Sequence, residues 1–398
     1  MAVQQGTGPP VRSGRLWNDP RARSIFYQIV LATAIIAFVY YIIDNTARNL
    51  EARGIASGFG FLGTPAGFDV AMSPFFKYDL ETATYYDVLL VGMSNTILAA
   101  LIGCPLATLV GFIVGVLRLS SNWIVARIAY VYVETMRNIP LLLHLLFWYF
   151  LMVGVLPKVR DALSVGDSIY LSNRGLFGPM PVPDDGFWIV GVAFALAIAL
   201  VVAVVRWAKK RQNETGQQFP TVLVSIAILI GLPLIAFALA GFPLHWELPR
   251  RTRFSLTGGI VLLPEFAALL FGLVAYTGAF IAEIVRAGIQ AISHGQTEAA
   301  YSLGVRPNVT MRLIIIPQAL RVIIPPLTSQ FLNLTKNSSL GVAIGATEIV
   351  SVWMGTTLNQ AGQAVEIIAI TMAFYMTISL LTSAFMNWYN TRIALTER

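Results

Sequence analysis

Eight runs of apolar residues, each near the length of a bilayer crossing, constrain this chain more than any other feature of its sequence. A spanning helix needs about 20 mostly apolar residues, because a rise of about 1.5 Å per residue must cross roughly 30 Å of hydrocarbon. The runs are approximately 24–43, 88–117, 139–156, 187–207, 220–242, 264–287, 320–345 and 364–388. The second is long enough to tilt or protrude, and the third is short. The strip at 122–138, which contains Arg127, Glu134 and Arg137, is expected to lie along the membrane interface before the third span enters. Composition agrees with this reading. Hydrophobic residues make up 56% and charged residues 12% of the chain, with a mean hydropathy of +0.70. A soluble domain carries about 25% charged residues, so these 398 residues lack the material for a water-facing shell. The expected fold class is all-α, a polytopic membrane helix bundle.

Sidedness follows from the basic residues. Arg12, Arg15, Arg21 and Arg23 precede the first span; Lys209, Lys210 and Arg211 fall between the fourth and fifth. Arg306 and Arg312 follow the sixth span, and Arg392 and Arg398 the last. Eight crossings put all of these on one side, which the positive-inside rule makes cytoplasmic, with both termini inside. Asp69, Asp79, Glu81, Asp161, Asp184 and Asp185 fall on the opposite side, together with Arg250, Arg251 and Arg253, which weaken the pattern without reversing it. The outer stretch 44–87 is rich in Gly, Pro and Phe, and is expected to pack on the bundle rather than to span.

Several function classes are excluded or unsupported. The formal charge of +7 sits in short clusters beside apolar runs, so it serves topology rather than nucleic-acid binding. The single cysteine, Cys104, rules out an internal disulfide and makes a cysteine metal site implausible. Only His144, His245 and His294 are available as imidazoles, and no nucleophile or metal constellation accompanies them. No Lys follows a Gly, so no phosphate-binding loop of the GxxxxGK[ST] kind exists. The polar N-terminal stretch has no clear small-residue cleavage site and is not expected to be a signal peptide.

The informative stretch is SHGQTEAAYSLGVRPNVTMRLIIIPQALR, 293–321. Ser293 or His294 can open a short helix, Gly304 stands where a left-handed C-terminal cap is expected, and Pro307 prevents continuation. Such a helix of about two turns is too brief to be stable alone. Ala299, Ala300 and Leu303 are expected to share a small apolar face, with Glu298 beside it, suited to a groove on another protein.

Glu298-Ala299-Ala300, Gly304 four residues on, then Ile314, Ile316 and Pro317, resembles the EAA loop of ABC-type importer permeases, with Ile316 in place of the usual Leu. YTGAFIAEIVRAGIQAISHGQTEAAYSLG and IIIPQALRVIIPPLTSQFLNLTKNSSL resemble the polar amino-acid branch, as do MSNTILAALIGCPLATLVGFIVGVLRLS and YVETMRNIPLLLHLLFWYF upstream. The resemblance implies a five-helix, type I (MetI-like) core carried by 88–156 and 258–398. Around it stand an N-terminal part, 1–87, with an extra helix and outer loop, and an insertion, 157–257, with two extra helices. This enlarged layout resembles the larger, Q-like subunit type of the general L-amino-acid permeases (Aap/Bzt).

The resemblance further implies a permease that translocates L-amino acids by alternating access in a bacterial inner membrane, and not an enzyme. Gly295, Glu298, Ala299, Ala300, Gly304 and Pro317 would couple it to two copies of an ABC ATPase, which hold the ATP and Mg; this chain binds no cofactor. A second permease subunit, a periplasmic amino-acid-binding protein and membrane lipid complete the partners. The competing reading is an ion-gradient-driven secondary transporter, which would need no such loop and tends to show acids or broken helices in paired halves.

Polar groups inside apolar spans are functional candidates by default. Lys336, followed by Asn337, Ser338 and Ser339, either meets a substrate carboxylate or snorkels to headgroups or pairs with Glu348. Pro325-Pro326 are expected to break or kink the seventh span. His144 lines the path or is a satisfied buried histidine. Glu283 and Arg286 are expected to form a helix-surface ion pair. Pro140 is expected at a helix entry, and Gly111 and Gly115 at a helix contact.

Overall fold

The computed structural model describes residues 20–52, 57–76, 78–166, 168–252 and 255–393. Arg12, Arg15, Arg253 and Arg398 of the sidedness argument lie outside them. Seven helices among the described residues are long and apolar enough to cross a membrane, and eight spans result if one bent helix pair counts as a crossing. The helices are α1 (Pro20–Ala52), α2 (Tyr85–Leu117), α3 (Trp123–Asn138), α4 (Leu141–Val155), α5 (Phe187–Thr215) and α6 (Thr221–Leu239). They continue with α7 (Pro264–Gln290), α8 (His294–Ser302), α9 (Pro307–Thr310), α10 (Ile316–Asn337), α11 (Leu358–Ala361) and α12 (Ala364–Ile393). The expected helical bundle is present, and the chain divides into two compact units.

One unit comprises 1–93 and 349–380. Of the stretch 44–87, residues 44–52 continue α1 instead, whereas the part after them packs here, with Phe61, Ala66 and Val70 buried. The Phe61 ring stacks on Trp353 at 5.8 Å between centroids. Trp353 donates its indole N–H to the Ile367 carbonyl at 3.3 Å. A tie from the Gly58 N–H to the Glu366 carboxylate fastens the stretch further. At the start of α2, the Thr84 backbone N–H and hydroxyl both donate to Asp87 at 2.8 Å. That is a side chain in the first turn satisfying groups just before the helix. Phe59 and Phe75 remain exposed.

The other unit comprises 94–348 and 381–398. α7 is its most buried helix, packed by α3, α4 and α10. The approach is close because small residues stand at the contacts. A Cβ at Gly115 would lie 2.7 Å from the Ala282 carbonyl oxygen, and one at Gly111 would overlap Ile281. Gly111 and Gly115 therefore line a helix contact, as expected. α5 and α6 pair with each other.

α3 and α4 form the bent pair. Asn122 caps α3 by accepting from the N–H groups of Ile124 and Val125 at 3.0 and 3.4 Å. α3 ends at Asn138, and Ile139 is extended with φ −97° and ψ 132°, the conformation imposed on a residue before proline. Pro140 opens α4 as its N-cap, and the two helices are bent by 107°. At 15 residues, α4 is as short as the hydropathy indicated.

Two features differ from expectation. Pro325 and Pro326 lie within α10 without ending it. Each removes one backbone donor, and both are exposed on the helix surface. The irregular turns sit on either side instead, a π-helical turn at Met311–Ile315 and a 3-10 segment at Ser338–Ile344. The second difference is β structure on either side of α5 and α6, within 163–183 and 244–262. β1 (Leu163–Val165), β2 (Ile169–Ser172), β3 (Gly175–Gly178) and β8 (Ile260–Leu262) form an antiparallel sheet in the order β1-β2-β3-β8. β4 (Met180–Pro183) pairs with β5 (Leu244–Glu247), and β6 (Arg250–Arg251) with β7 (Leu256–Thr257).

Candidate functional site

α8 is the expected short helix. Ser293 stands at its N-cap and accepts from the Gly295 N–H at 3.3 Å. Its other end is closed by a pair of bonds: the Val305 N–H reaches the Ala300 carbonyl at 3.0 Å, and the Gly304 N–H the Tyr301 carbonyl at 2.9 Å. This is the Schellman pattern, which requires a left-handed residue, and Gly304 supplies it with φ +71°. Space around Gly304 is open, so backbone conformation rather than crowding selects glycine there.

The apolar face differs from the expected one. Ala300 is buried at 3% exposure, whereas Leu303 is 82% exposed and Ala299 and Glu298 are exposed. One small residue is needed on the inner side because α8 lies on α9 and the π-helical turn. Ala299 and Leu303, four residues apart, form the outward face. The Gln318 side chain donates to Gln296 at 3.4 Å, linking α8 to α10, and Pro317 is exposed in the first turn of α10. Gly295, Glu298, Ala299, Gly304 and Pro317 are thus presented together on the surface, with Ala300 as their anchor.

The second group of candidates is spread along α10. Pro317 and Lys336 are 19 residues apart, about 28 Å of helix at 1.5 Å per residue. The level of Lys336 can be read from α7. A Cβ at Gly288 would meet Ile323, and one at Gly341 would lie 3.2 Å from Leu269. Lys336 lies between those two levels, within the length of α7, and its side chain is exposed. Ser338 and Ser339 use their hydroxyls to donate to the Thr335 and Lys336 carbonyls at 2.7 Å each, and so satisfy the end of α10. Asn337 is half-buried and Glu348 is buried.

Ser329 and Asn333 are exposed on the same face as Lys336, at spacings of four and three residues that place them on one helical stripe. Sequence reasoning passed over both, although that spacing is readable in LTSQFLNLTKN. His144 is 5% exposed, and its Nε2 lies 3.1 Å from the Met136 carbonyl. It therefore ties α4 back to the last turns of α3 across the bend.

Glu283 and Arg286 form the expected pair, within a larger cluster. The Glu283 carboxylate also accepts from Arg118 and lies 4.0 Å from Arg137. Guanidinium groups of Arg118 and Arg127 stand over the Tyr130 ring at 5.4 and 5.1 Å. Among the described residues, no three His, Cys, Asp or Glu side chains gather in a way that could hold a metal ion.

A family profile described as "binding-protein-dependent transport system inner membrane component" matches residues 191–395. The general L-amino acid transport system permease protein AapQ of Rhizobium johnstonii is 50% identical over 394 residues, covering 99% of this chain and 97% of that protein. The putative amino-acid ABC transporter permease protein YhdX of Escherichia coli is 47% identical, covering 98% of each. The glutamate/glutamine/aspartate/asparagine transport system permease protein BztB of Rhodobacter capsulatus is 44% identical, covering 97% of each. With the apolar helices, the capped surface helix and full-length relatives all in place, this chain belongs to the family of binding-protein-dependent transport system inner-membrane components.

Proposed function

We propose that this chain is the L-amino-acid-translocating permease subunit of an ATP-driven importer, coupled to its motor through α8. The observation that carries the proposal is the exposed nine-residue helix closed by a left-handed glycine. Its outward Ala299 and Leu303, flanked by Glu298, fit a groove on a partner. The partner is an ABC ATPase present in two copies, which hold the ATP and Mg, while this chain holds no cofactor. L-Amino acids as cargo are supported by the names of the relatives. Family membership disfavours an ion-gradient carrier.

The chain sits in a bacterial inner membrane with both termini and α8 in the cytoplasm. The permease core comprises 88–156 and 258–398, with 1–87 and 157–257 as additions. A periplasmic binding protein delivers substrate to the outer surface. Closure of the ATPases pushes on Glu298, Ala299 and Gly304, and Gln296 and Pro317 pass the displacement to α10. A second permease subunit faces the Ser329–Asn333–Lys336 stripe, because polar side chains left against lipid are costly. Lys336 offers the cation that any amino-acid carboxylate requires, with Asn337 beside it. Ser338 and Ser339 hold the end of α10, and His144 holds the α3–α4 bend behind the path.

Replacing Gly304 tests this. Gly304→Trp puts bulk and a disfavoured backbone conformation on the docking face, while space around it is open and insertion should be undisturbed. The expected result is loss of uptake and of ATPase co-purification with normal membrane levels. Normal uptake by the variant would refute docking through α8.

A further inference from the structure

Away from α8 and α10, a cleft of about 310 Å³ opens among Arg118, Trp123, Arg127, Tyr130, Arg286 and Gln290. Its charges do not balance. Arg118, Arg137 and Arg286 gather on the single carboxylate of Glu283, and Arg127 shares the Tyr130 ring with Arg118. Glu134, half-buried on α3, is the other nearby acid, and its carboxylate lies 3.4 Å from the Asn138 amide. Four guanidiniums against two carboxylates leave a surplus of positive charge, and three of the four, Arg118, Arg137 and Arg286, are partly buried, where like charge is costly unless an anion shares it.

The depth of the cleft identifies the anion. α3 is bent by 107° from α4, so where α4 crosses the bilayer α3 runs close to its plane. Trp123, Ile124, Ile128 and Val131 are all more than half exposed, as in a helix lying in the interface with apolar residues toward acyl chains. Arg127, one turn on from Trp123, shares that exposed stripe and lines the cleft with it, so the cleft opens at headgroup level. Basic pockets between helices there bind phosphate-bearing lipid headgroups.

We propose that this cleft is a binding site for the headgroup of an anionic phospholipid, with the phosphodiester held by Arg118, Arg127 and Arg286. Gln290 bonds the glycerol hydroxyls, and Trp123 rests against the first methylenes of the chains. Arg127 gives the cleanest test, because its interaction is with the Tyr130 ring rather than with an acid. Full-length chain in nanodiscs would be titrated with phosphatidylglycerol against a phosphatidylcholine background, and retained lipid counted by native mass spectrometry.

Arg127→Gln should weaken phosphatidylglycerol retention about fivefold. Lys209→Gln, which removes an exposed charge from α5, should leave it unchanged. Inorganic phosphate at millimolar concentration should not displace the lipid. Equal retention by Arg127→Gln and the parent would overturn the proposal. So would an equal loss in Lys209→Gln, which would mean diffuse charge, or displacement by phosphate, which would mean a site for the free ion.

Discussion

α6 and α7 are both apolar enough to span a bilayer, yet they are buried in inverse order to their hydropathy. The most apolar stretch of α6 has a mean hydropathy of 2.8 and none of it is buried; that of α7 has 2.0 and is 56% buried. In water the more apolar helix would be the core. In a membrane, lipid is as apolar as leucine, so hydrophobicity sends a helix to the outside as readily as to the inside. Close packing decides the matter instead. Gly272, Gly278 and Gly288 of α7 stand against Leu145, Val110 and Ile323, whereas Gly231 of α6 and Gly191 of α5 face open space. α7 also carries Glu283 and Arg286, which find partners on Arg118 and Arg137.

The largest effect is expected from added bulk at the α2–α7 contact. Gly115→Leu drives a side chain into the Ala282 carbonyl and Val285, and should cost about 3 kcal/mol by overpacking, read as a lower denaturation midpoint of the purified complex. Wild-type stability would mean that α7 does not depend on the approach seen here. A smaller loss, about 2 kcal/mol, is expected for Glu283→Gln, which leaves Arg118 without its anion. Arg118 has a side chain only 10% exposed. The same denaturation assay measures it, and an unchanged midpoint would reduce the cluster to a surface contact. Least of all should come from Gly191→Leu in α5, within about 0.5 kcal/mol of the parent. A large effect there would show that the α5–α6 pair is covered by protein rather than lipid.

The same contrast explains what the sequence made legible. Crossings were readable because the length and apolarity of one segment suffice, and α8 because Ser293, Gly304 and Pro307 act locally. The bend between α3 and α4 was half readable, since Pro140 restricts Ile139, although nothing local sets its angle. Interactions between distant residues were not readable. The Arg118–Glu283 pair joins residues 165 apart. The β3–β8 pairing joins Gly178 to Ile260 across a whole helical hairpin, through strands too short to show alternation. The double proline does not end the helix, because the residues on either side of it, among them Ile323, Ile324 and Leu327, are buried and hold α10 in place. On the α10 stripe only the charged Lys336 stands out in sequence, because the uncharged Ser329 and Asn333 interrupt the apolar run too weakly to signal a shared face.

Whether this chain moves its cargo only when a separate motor acts through α8 can be read from reconstituted vesicles. Vesicles would carry the full chain with its second permease subunit, binding protein and labelled L-amino acids, with and without the ATPase subunit and ATP. Uptake should appear only when both ATPase and ATP are present. Accumulation in vesicles that lack the ATPase would contradict the account.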